Sequence, residues 1–173
     1  KKILYKHVTS WMKNLERIPA ASTPEALFIP KSTSFNQLSF SPNKRFSISL
    51  FEGGVYKSFD AQKGEINPNL SFYLPIMGTK TIDIDTTNNI IYGFNWSFLF
   101  FDNIKIYNQI AFKSLSFSNG FQVGIKWISP LKLSKSFLNI EWNTSPSSLY
   151  SMSQGQINQS YSHLGHELAH PLG

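Results

Sequence analysis

The residues with the clearest capacity for chemistry lie in the last part of the chain. Three of the four histidines are found there, at His163, His166 and His170. The run His166-Glu167-Leu168-Ala169-His170 matches the H-E-x-x-H pattern, in which two histidines one helical turn apart bind zinc and the glutamate acts as general base. The spacing therefore raises a zinc metalloprotease as one hypothesis, with His163 available as a third ligand.

The sequence around this motif argues against the helix that such chemistry needs. Pro171 follows His170 directly, and a proline disfavours helical geometry in the residue before it. The preceding segment, GQINQSYSHLG, has no apolar stripe that would bury a helix. We therefore expect an extended or turn-rich segment over residues 163–173 and a protein that is not an enzyme, with no catalytic residue, no cofactor and no metal. Metal binding by His163, His166 and His170 stays open as an alternative.

The stretch that organises the rest of the chain is IYGFNWSFLFF, residues 91–101. Its even positions are all aromatic: Tyr92, Phe94, Trp96, Phe98 and Phe100. Successive side chains of a strand point to opposite faces, so these five aromatics share one face and mostly small or polar groups share the other. Strands of membrane barrels alternate in this way, with apolar residues towards lipid and polar residues towards the lumen.

The same alternation recurs along the chain and predicts an all-β fold, an antiparallel up-and-down meander that forms part of an outer-membrane β-barrel. We expect strands near 35–41, 45–57, 90–101, 104–113, 120–129 and 137–144. The aromatic face should continue through Ile106, Ile110, Val123, Ile125 and Ile140. The short turns at 42–44, 102–103 and 130–136 fall on one side, and the longer segments fall on the other, as in barrels with short periplasmic turns and long external loops.

This pattern divides the chain into two parts. Residues 1–34 are expected to form an N-terminal loop or short helix segment, with helical turns around Ser10 to Ile18 and a proline-rich loop over 19–34. Residues 35–173 are expected to form the β-barrel portion, with external loops at 58–89 and 145–173. No secretory signal is recognisable at the start, so we expect a mature or internal piece of an exported protein.

Composition narrows the classes of function. Fifteen Phe, seven Tyr and four Trp exclude a disordered chain, and no continuous apolar run suggests a membrane-spanning helix. The chain has no cysteine and a formal net charge of +6. Its lysines are scattered singly, with no basic cluster beyond Lys44-Arg45, so we expect no nucleic acid as a partner. The sequence leaves the oligomeric state open.

An ordered series of segments resembles a known family over roughly residues 35–173. The segments are LSFSPNKRFSISLFEGGVY, NPNLSFYLPIMG, KIYNQIAF, GFQVGIKWI, NIEWN and YSHLGHELAHPLG. They resemble the Bacteroidetes branch of the Wzi-like capsule-assembly family, which includes gliding-motility proteins. Family members have more strands than are readable here, and their arginine and tyrosine after the EWN segment are replaced by Thr144-Ser145-Pro146. The chain is therefore expected to be the C-terminal part of a barrel, or a shortened variant.

The resemblance implies an outer-membrane β-barrel that binds or anchors surface polysaccharide at the cell exterior, or supports gliding-related surface assembly. Its expected partners are surface polysaccharide and outer-membrane lipid, and its expected action is binding without covalent chemistry. Aromatic faces stack on sugars, while amides and carboxylates bond to hydroxyls. The glycan-binding candidates are Trp142, Asn143, Tyr150, Gln154, Tyr161 and His163.

Each of these candidates also has a structural interpretation. Trp142 suits an aromatic residue at a membrane interface, and Tyr150 and Tyr161 suit residues that hold a loop in place. Glu141 is expected to point into the lumen, where it could pair with Lys126.

A soluble β-sandwich or lipocalin-like binding protein is the other hypothesis, since its strands would alternate in the same way. The two hypotheses differ at Phe94, Trp96 and Phe98. These side chains are buried in a soluble protein and are exposed on an isolated membrane barrel.

Overall fold

One antiparallel sheet dominates the computed structural model, which describes residues 1–17, 28–60, 63–82, 89–113, 118–150, 160–163 and 166–167. The sheet has seven strands, and each strand pairs with its neighbour in chain order. They are β1 (Lys2–Arg17), β2 (Phe28–Ser41), β3 (Phe46–Lys57), β6 (Asn89–Phe100), β7 (Ile104–Lys113), β8 (Asn119–Ile128) and β9 (Phe137–Thr144). The up-and-down antiparallel meander predicted from the alternation is thus confirmed. The sheet is open, with β1 and β9 as its edge strands.

Smaller elements lie in the connections. Between β3 and β6 the chain forms β4 (Phe59–Asp60), β5 (Gly64–Glu65), α1 (Leu70–Tyr73) and α2 (Thr79–Ile82). A single 3-10 turn, Pro130–Lys132, connects β8 to β9. After β9 come α3 (Ser147–Tyr150), β10 (Ser162–His163) and β11 (His166–Glu167). Among the described residues, no helix is long and apolar enough to cross a membrane.

The expectation for residues 1–17 and 28–34 was wrong, and residues 18–27 lie outside the described part of the chain. Lys2–Arg17 is a strand rather than a loop or helical turn, and β2 begins at Phe28 instead of near 35. Apolar side chains occur on both faces of β1, with Ile3 and Trp11 on one and Leu4 and Met12 on the other, so no simple alternation marks it. Its conformation comes from backbone pairing with β2, and Pro30 is accommodated near the end of that pairing, opposite Lys13.

The register places the alternating residues on two chemically different faces. Phe98 pairs with Ile106 and Phe94 with Ile110, while Ile106 pairs with Ile125 and Ile125 with Ile140. We call this side the apolar face. The predicted continuity of the aromatic strand with Ile106, Ile110, Val123, Ile125 and Ile140 is confirmed. The opposite side, the polar face, carries residues such as Ser39, Ser49, Asn95, Gln109, Gln122 and Asn143.

The two ends of the sheet also differ. The connections at residues 42–45, 101–103 and 129–136 meet at one end, which we call the short-turn end. The β3–β6 connection and the segment after β9 meet at the other, the long-loop end. In the β6–β7 turn, Phe101 and Asp102 adopt left-handed backbone with φ of 50° and 60°. The three predicted turns thus share one end and the two longest segments share the other, although the short β7–β8 connection, residues 114–118, also lies at the long-loop end.

The densest packing lies on the polar face at the long-loop end. There the side chains of Phe51, Ile91 and Ala111 form a buried cluster with Leu149 of α3. Leu149 is fully buried, so α3 packs over the sheet instead of extending into solvent. On the apolar face at the same end, Phe72 of α1 contacts Tyr56, with ring centroids 5.4 Å apart.

The rest of the apolar face is uncovered by the described residues. Phe94 and Trp96 are half-buried, and Phe98 is exposed. Around them Leu50, Ile125, Ile140 and Trp142 are 51%, 44%, 61% and 61% exposed. The partial burial of Phe94 and Trp96 comes from side chains of the neighbouring strands, because no second layer of described residues packs against this face.

Candidate functional site

Polar side chains form three adjacent rows on the polar face of β6, β7, β8 and β9. We call these rows the polar grid. The first row consists of four carboxamides, at Asn95, Gln109, Gln122 and Asn143. The second row is Ser97, Tyr107, Gly124 and Glu141, and the third is Leu99, Lys105, Lys126 and Asn139. Directly paired residues lie about 5 Å apart, so each row is a continuous strip of side chains.

Tyr107 crosses the middle of this grid because Gly124 has no side chain. A Cβ at Gly124 would lie 2.3 Å from Tyr107 Cζ and 2.4 Å from its hydroxyl oxygen. The ring therefore lies flat over β8 and reaches from β7 to β9. Covering a glycine with an aromatic ring from the next strand is a device that pins the register of curved sheets. The pairs Phe35–Gly53 and Phe51–Gly93 repeat it on the same face.

The Tyr107 hydroxyl donates a short hydrogen bond to the Glu141 carboxylate. Asn143 Nδ2 donates to the other carboxylate oxygen at 2.8 Å, and Gln122 is a further donor. Glu141 is thus fixed by polar partners from three strands. Glu141 lies on the polar face of β9, and Lys126 approaches the Tyr107 ring, with Nζ 5.3 Å from the centroid.

A concavity of about 240 Å³ lies over the grid. Its lining includes Asn95, Ser97, Lys105, Tyr107, Gln109, Gln122 and Lys126. Amide, hydroxyl and ammonium groups therefore surround it, together with the side chain of Tyr107. This is the inventory of donors and acceptors that holds hydroxylated ligands without covalent chemistry.

The candidates predicted on β9 do not come together. Trp142 lies on the apolar face, where its ring packs edge-on against Phe121 at 5.8 Å between centroids. Asn143 lies on the polar face and belongs to the grid. Adjacent residues of a strand point to opposite faces, so these two side chains cannot contact one ligand from the same side.

Tyr150 and Tyr161 do come together, as part of the packing at the long-loop end. Their rings meet edge to face with centroids 6.2 Å apart, and both pack against the buried cluster. The Tyr161 hydroxyl donates to the Asn89 carbonyl oxygen at 3.1 Å, and burial raises the pKa of this phenol. They hold the segment after β9 on the sheet, which is the structural interpretation considered above. Gln154 lies outside the described residues.

The backbone of the histidine segment is extended where it is described. Ser162–His163 pairs with His166–Glu167 as a two-stranded antiparallel ladder. The first two residues of the H-E-x-x-H pattern are therefore in a strand, whereas the zinc motif requires a helix. His170 lies outside the described residues. Among the side chains that are described, no group of three His, Cys, Asp or Glu is placed to hold a metal ion.

The sequence did not single out the centre of the site. Tyr107, Gln109 and Gln122 were visible as polar positions of alternating strands, but their convergence depends on which residues pair across β7 and β8. A signal was present in Gly124, a glycine within a strand, because such a glycine often marks a close approach by another group.

No protein-family model, curated protein or solved structure matches the chain. The resemblance to the Wzi-like family accordingly stays a prediction.

Proposed function

We propose that this chain is part of an outer-membrane β-barrel whose apolar face contacts lipid and whose polar face holds a surface polysaccharide by non-covalent binding. The observation that carries the proposal is the separation of side chains between the two faces. From the Phe94–Ile110 pair to the short-turn end, the strand residues of the apolar face include no charged side chain. The polar face of the same strands carries lysines, amides and serines.

Exposure supports the lipid-facing assignment. Soluble monomers rarely expose a continuous apolar surface of more than a few hundred Å². Here Ile3, Phe40, Leu50, Ile125 and Ile140 are all exposed, on five of the seven strands. A bilayer is a suitable environment for such a surface, because residues in the strands of membrane barrels alternate between facing lipid and facing a polar lumen.

The chemistry of the grid supports a carbohydrate ligand. Four carboxamides in one row present both donors and acceptors, which match the hydroxyl groups of a sugar chain. The one carboxylate of the grid, Glu141, is held by hydrogen bonds from Tyr107 and Asn143, and we propose binding rather than bond cleavage.

Two neighbouring residues of the edge strand provide the test. Ile140 and Asn139 are both exposed in the isolated chain, and they lie on the apolar and polar faces respectively. We expect Ile140→Arg to destabilise the protein in phosphatidylcholine vesicles by about 2–4 kcal/mol if the site lies near the bilayer midplane, because arginine there is costly. The matched control Asn139→Arg places its charge opposite Lys126 on the polar face, so it should cost no more than about 1 kcal/mol.

The comparison is read from urea unfolding of the vesicle-bound protein. In a soluble protein, both arginines would face water and both variants would behave alike. Equal stabilities of Ile140→Arg and Asn139→Arg would therefore overturn the proposed membrane placement.

A further inference from the structure

A second concavity, of about 490 Å³, adjoins the polar grid at the short-turn end. It shares Ser97 and Lys105 with the concavity over the grid, so the two lie side by side. We call it the basic basin. Its lining includes Lys2 on β1, Lys44 and Arg45 in the β2–β3 turn, and Lys105 on β7, and none of its described lining residues is acidic.

The charges of the basic basin are only partly compensated. Arg45 forms an ion pair with Asp102, with 3.1 Å between Nη2 and Oδ1. Within the described part of the chain, Lys2, Lys44 and Lys105 form no ion pair. The basin therefore retains positive charge that a bound anion could neutralise.

Lys105 also has an unfavourable neighbour. It lies directly opposite Lys126 in the β7–β8 pairing. Like charges opposite one another destabilise an antiparallel pair unless something separates or neutralises them. An anion between these strands would turn this repulsion into attraction for both lysines.

Hydroxyl groups complete the lining. Ser41, Ser47 and Ser97 border the basin, and Ser41 Oγ donates to Ser47 Oγ at 3.1 Å. Ammonium and hydroxyl donors together are the groups that proteins use to hold carboxylate and phosphate oxygens.

We propose that the basic basin binds the oxyanion of an acidic oligosaccharide whose neutral sugar units lie along the polar grid. This inference rests on the proposed function, and it adds that the ligand is charged. The basin opens on the polar face, away from the surface assigned to lipid.

The test compares three soluble probes by isothermal titration calorimetry on the folded protein in vesicles or detergent. They are oligogalacturonate of four units, which carries carboxylates, neutral maltotetraose, and inorganic phosphate. The variant is Lys2→Gln/Lys44→Gln, which removes two lysines that line the basin but not the concavity over the grid. The matched control is Lys135→Gln, which removes an exposed lysine from the β8–β9 turn at the same end of the sheet.

We expect oligogalacturonate to bind more tightly than maltotetraose and to weaken with added salt. An exposed charge pair contributes up to about 1 kcal/mol, or about fivefold in affinity, so the double variant should bind oligogalacturonate roughly tenfold more weakly. Its affinity for maltotetraose should be unchanged, and Lys135→Gln should match the unmodified protein for both.

The remaining outcomes separate this inference from the proposed function. If the two sugars bind with equal affinity and the double variant changes neither, the basic basin does not bind an oxyanion. The proposed polysaccharide binding would still stand. Binding of phosphate but of neither sugar would overturn the acidic oligosaccharide and the polysaccharide function together. Lysine-dependent binding of phosphatidylglycerol vesicles without sugar binding would assign the basin to lipid and overturn the inference.

Discussion

Replacing Gly124 by alanine tests the geometry of the polar grid most sharply. The new Cβ would lie 2.3 Å from Tyr107 Cζ, which is far inside van der Waals contact. The Tyr107 ring must leave the surface of β8, because the strand backbone is held by pairing on both sides. The hydrogen bond to Glu141 and the contact of Lys126 with the ring are lost in the same movement.

The cost is expected to resemble that of other small-to-large changes in packed sites, about 1–3 kcal/mol. For a protein of 150–250 residues, each kcal/mol shifts the melting temperature by about 2–4 °C. Gly124→Ala should therefore lower Tm by roughly 2–12 °C in a thermal unfolding experiment followed by circular dichroism. Maltotetraose binding should also weaken, because the ring no longer borders the concavity.

A double variant tests whether the Tyr107 ring causes this penalty. Tyr107→Ser removes the ring and vacates the space above Gly124. In that background Gly124→Ala should cost close to nothing, so the two substitutions should be strongly non-additive. A Gly124→Ala penalty that is the same with and without the tyrosine would refute the reasoning.

Other predictions concern the turns, the segment after β9 and the covering of the long-loop end. Leu131 is 80% exposed and has a left-handed backbone with φ of 53°, a conformation that asparagine adopts with less strain than leucine. Leu131→Asn should therefore raise the free energy of unfolding by about 1 kcal/mol in urea, and an unchanged unfolding midpoint would contradict this backbone strain. Leu149→Ala should cost about 2–5 kcal/mol and increase protease cleavage after β9, because it empties a fully buried site, whereas the exposed Leu133→Ala should do neither. Burial lowers the pKa of Lys80, so its ammonium is penalised most at neutral pH and the penalty disappears as pH rises towards the unfolded pKa of about 10.4. The stability of the unmodified protein relative to Lys80→Met should therefore rise as the pH is raised from neutrality towards the unfolded pKa, and a pH-independent difference would contradict the burial of Lys80.

Alternation was sufficient to predict most of the sheet. Where one face is aromatic and the other polar, as in residues 91–101, a one-residue slip would exchange the two environments, so the sequence specifies the register strongly. β1 lacks this signal because Ile3 and Leu4 place apolar groups on opposite faces. Its extended conformation results from pairing with β2, which only the folded chain provides.

The site was harder to predict than the sheet, because it too depends on which residues pair across strands. Tyr107 meets Glu141 because both pair with Gly124, and that coincidence depends on the exact length of the β7–β8 connection. The tyrosines at 150 and 161 illustrate the converse. Their chemistry suits sugar stacking, but the buried Leu149 beside them draws the segment onto the sheet, and both rings are used in packing.

Tryptophan quenching by brominated lipid tests the central claim most directly. All four tryptophans, at positions 11, 96, 127 and 142, lie on the apolar face. With the protein folded in vesicles, we predict strong quenching by bromine on the acyl chains and weak quenching by aqueous acrylamide. A folded monomer in detergent-free buffer, whose fluorescence brominated vesicles leave unchanged, would contradict the account.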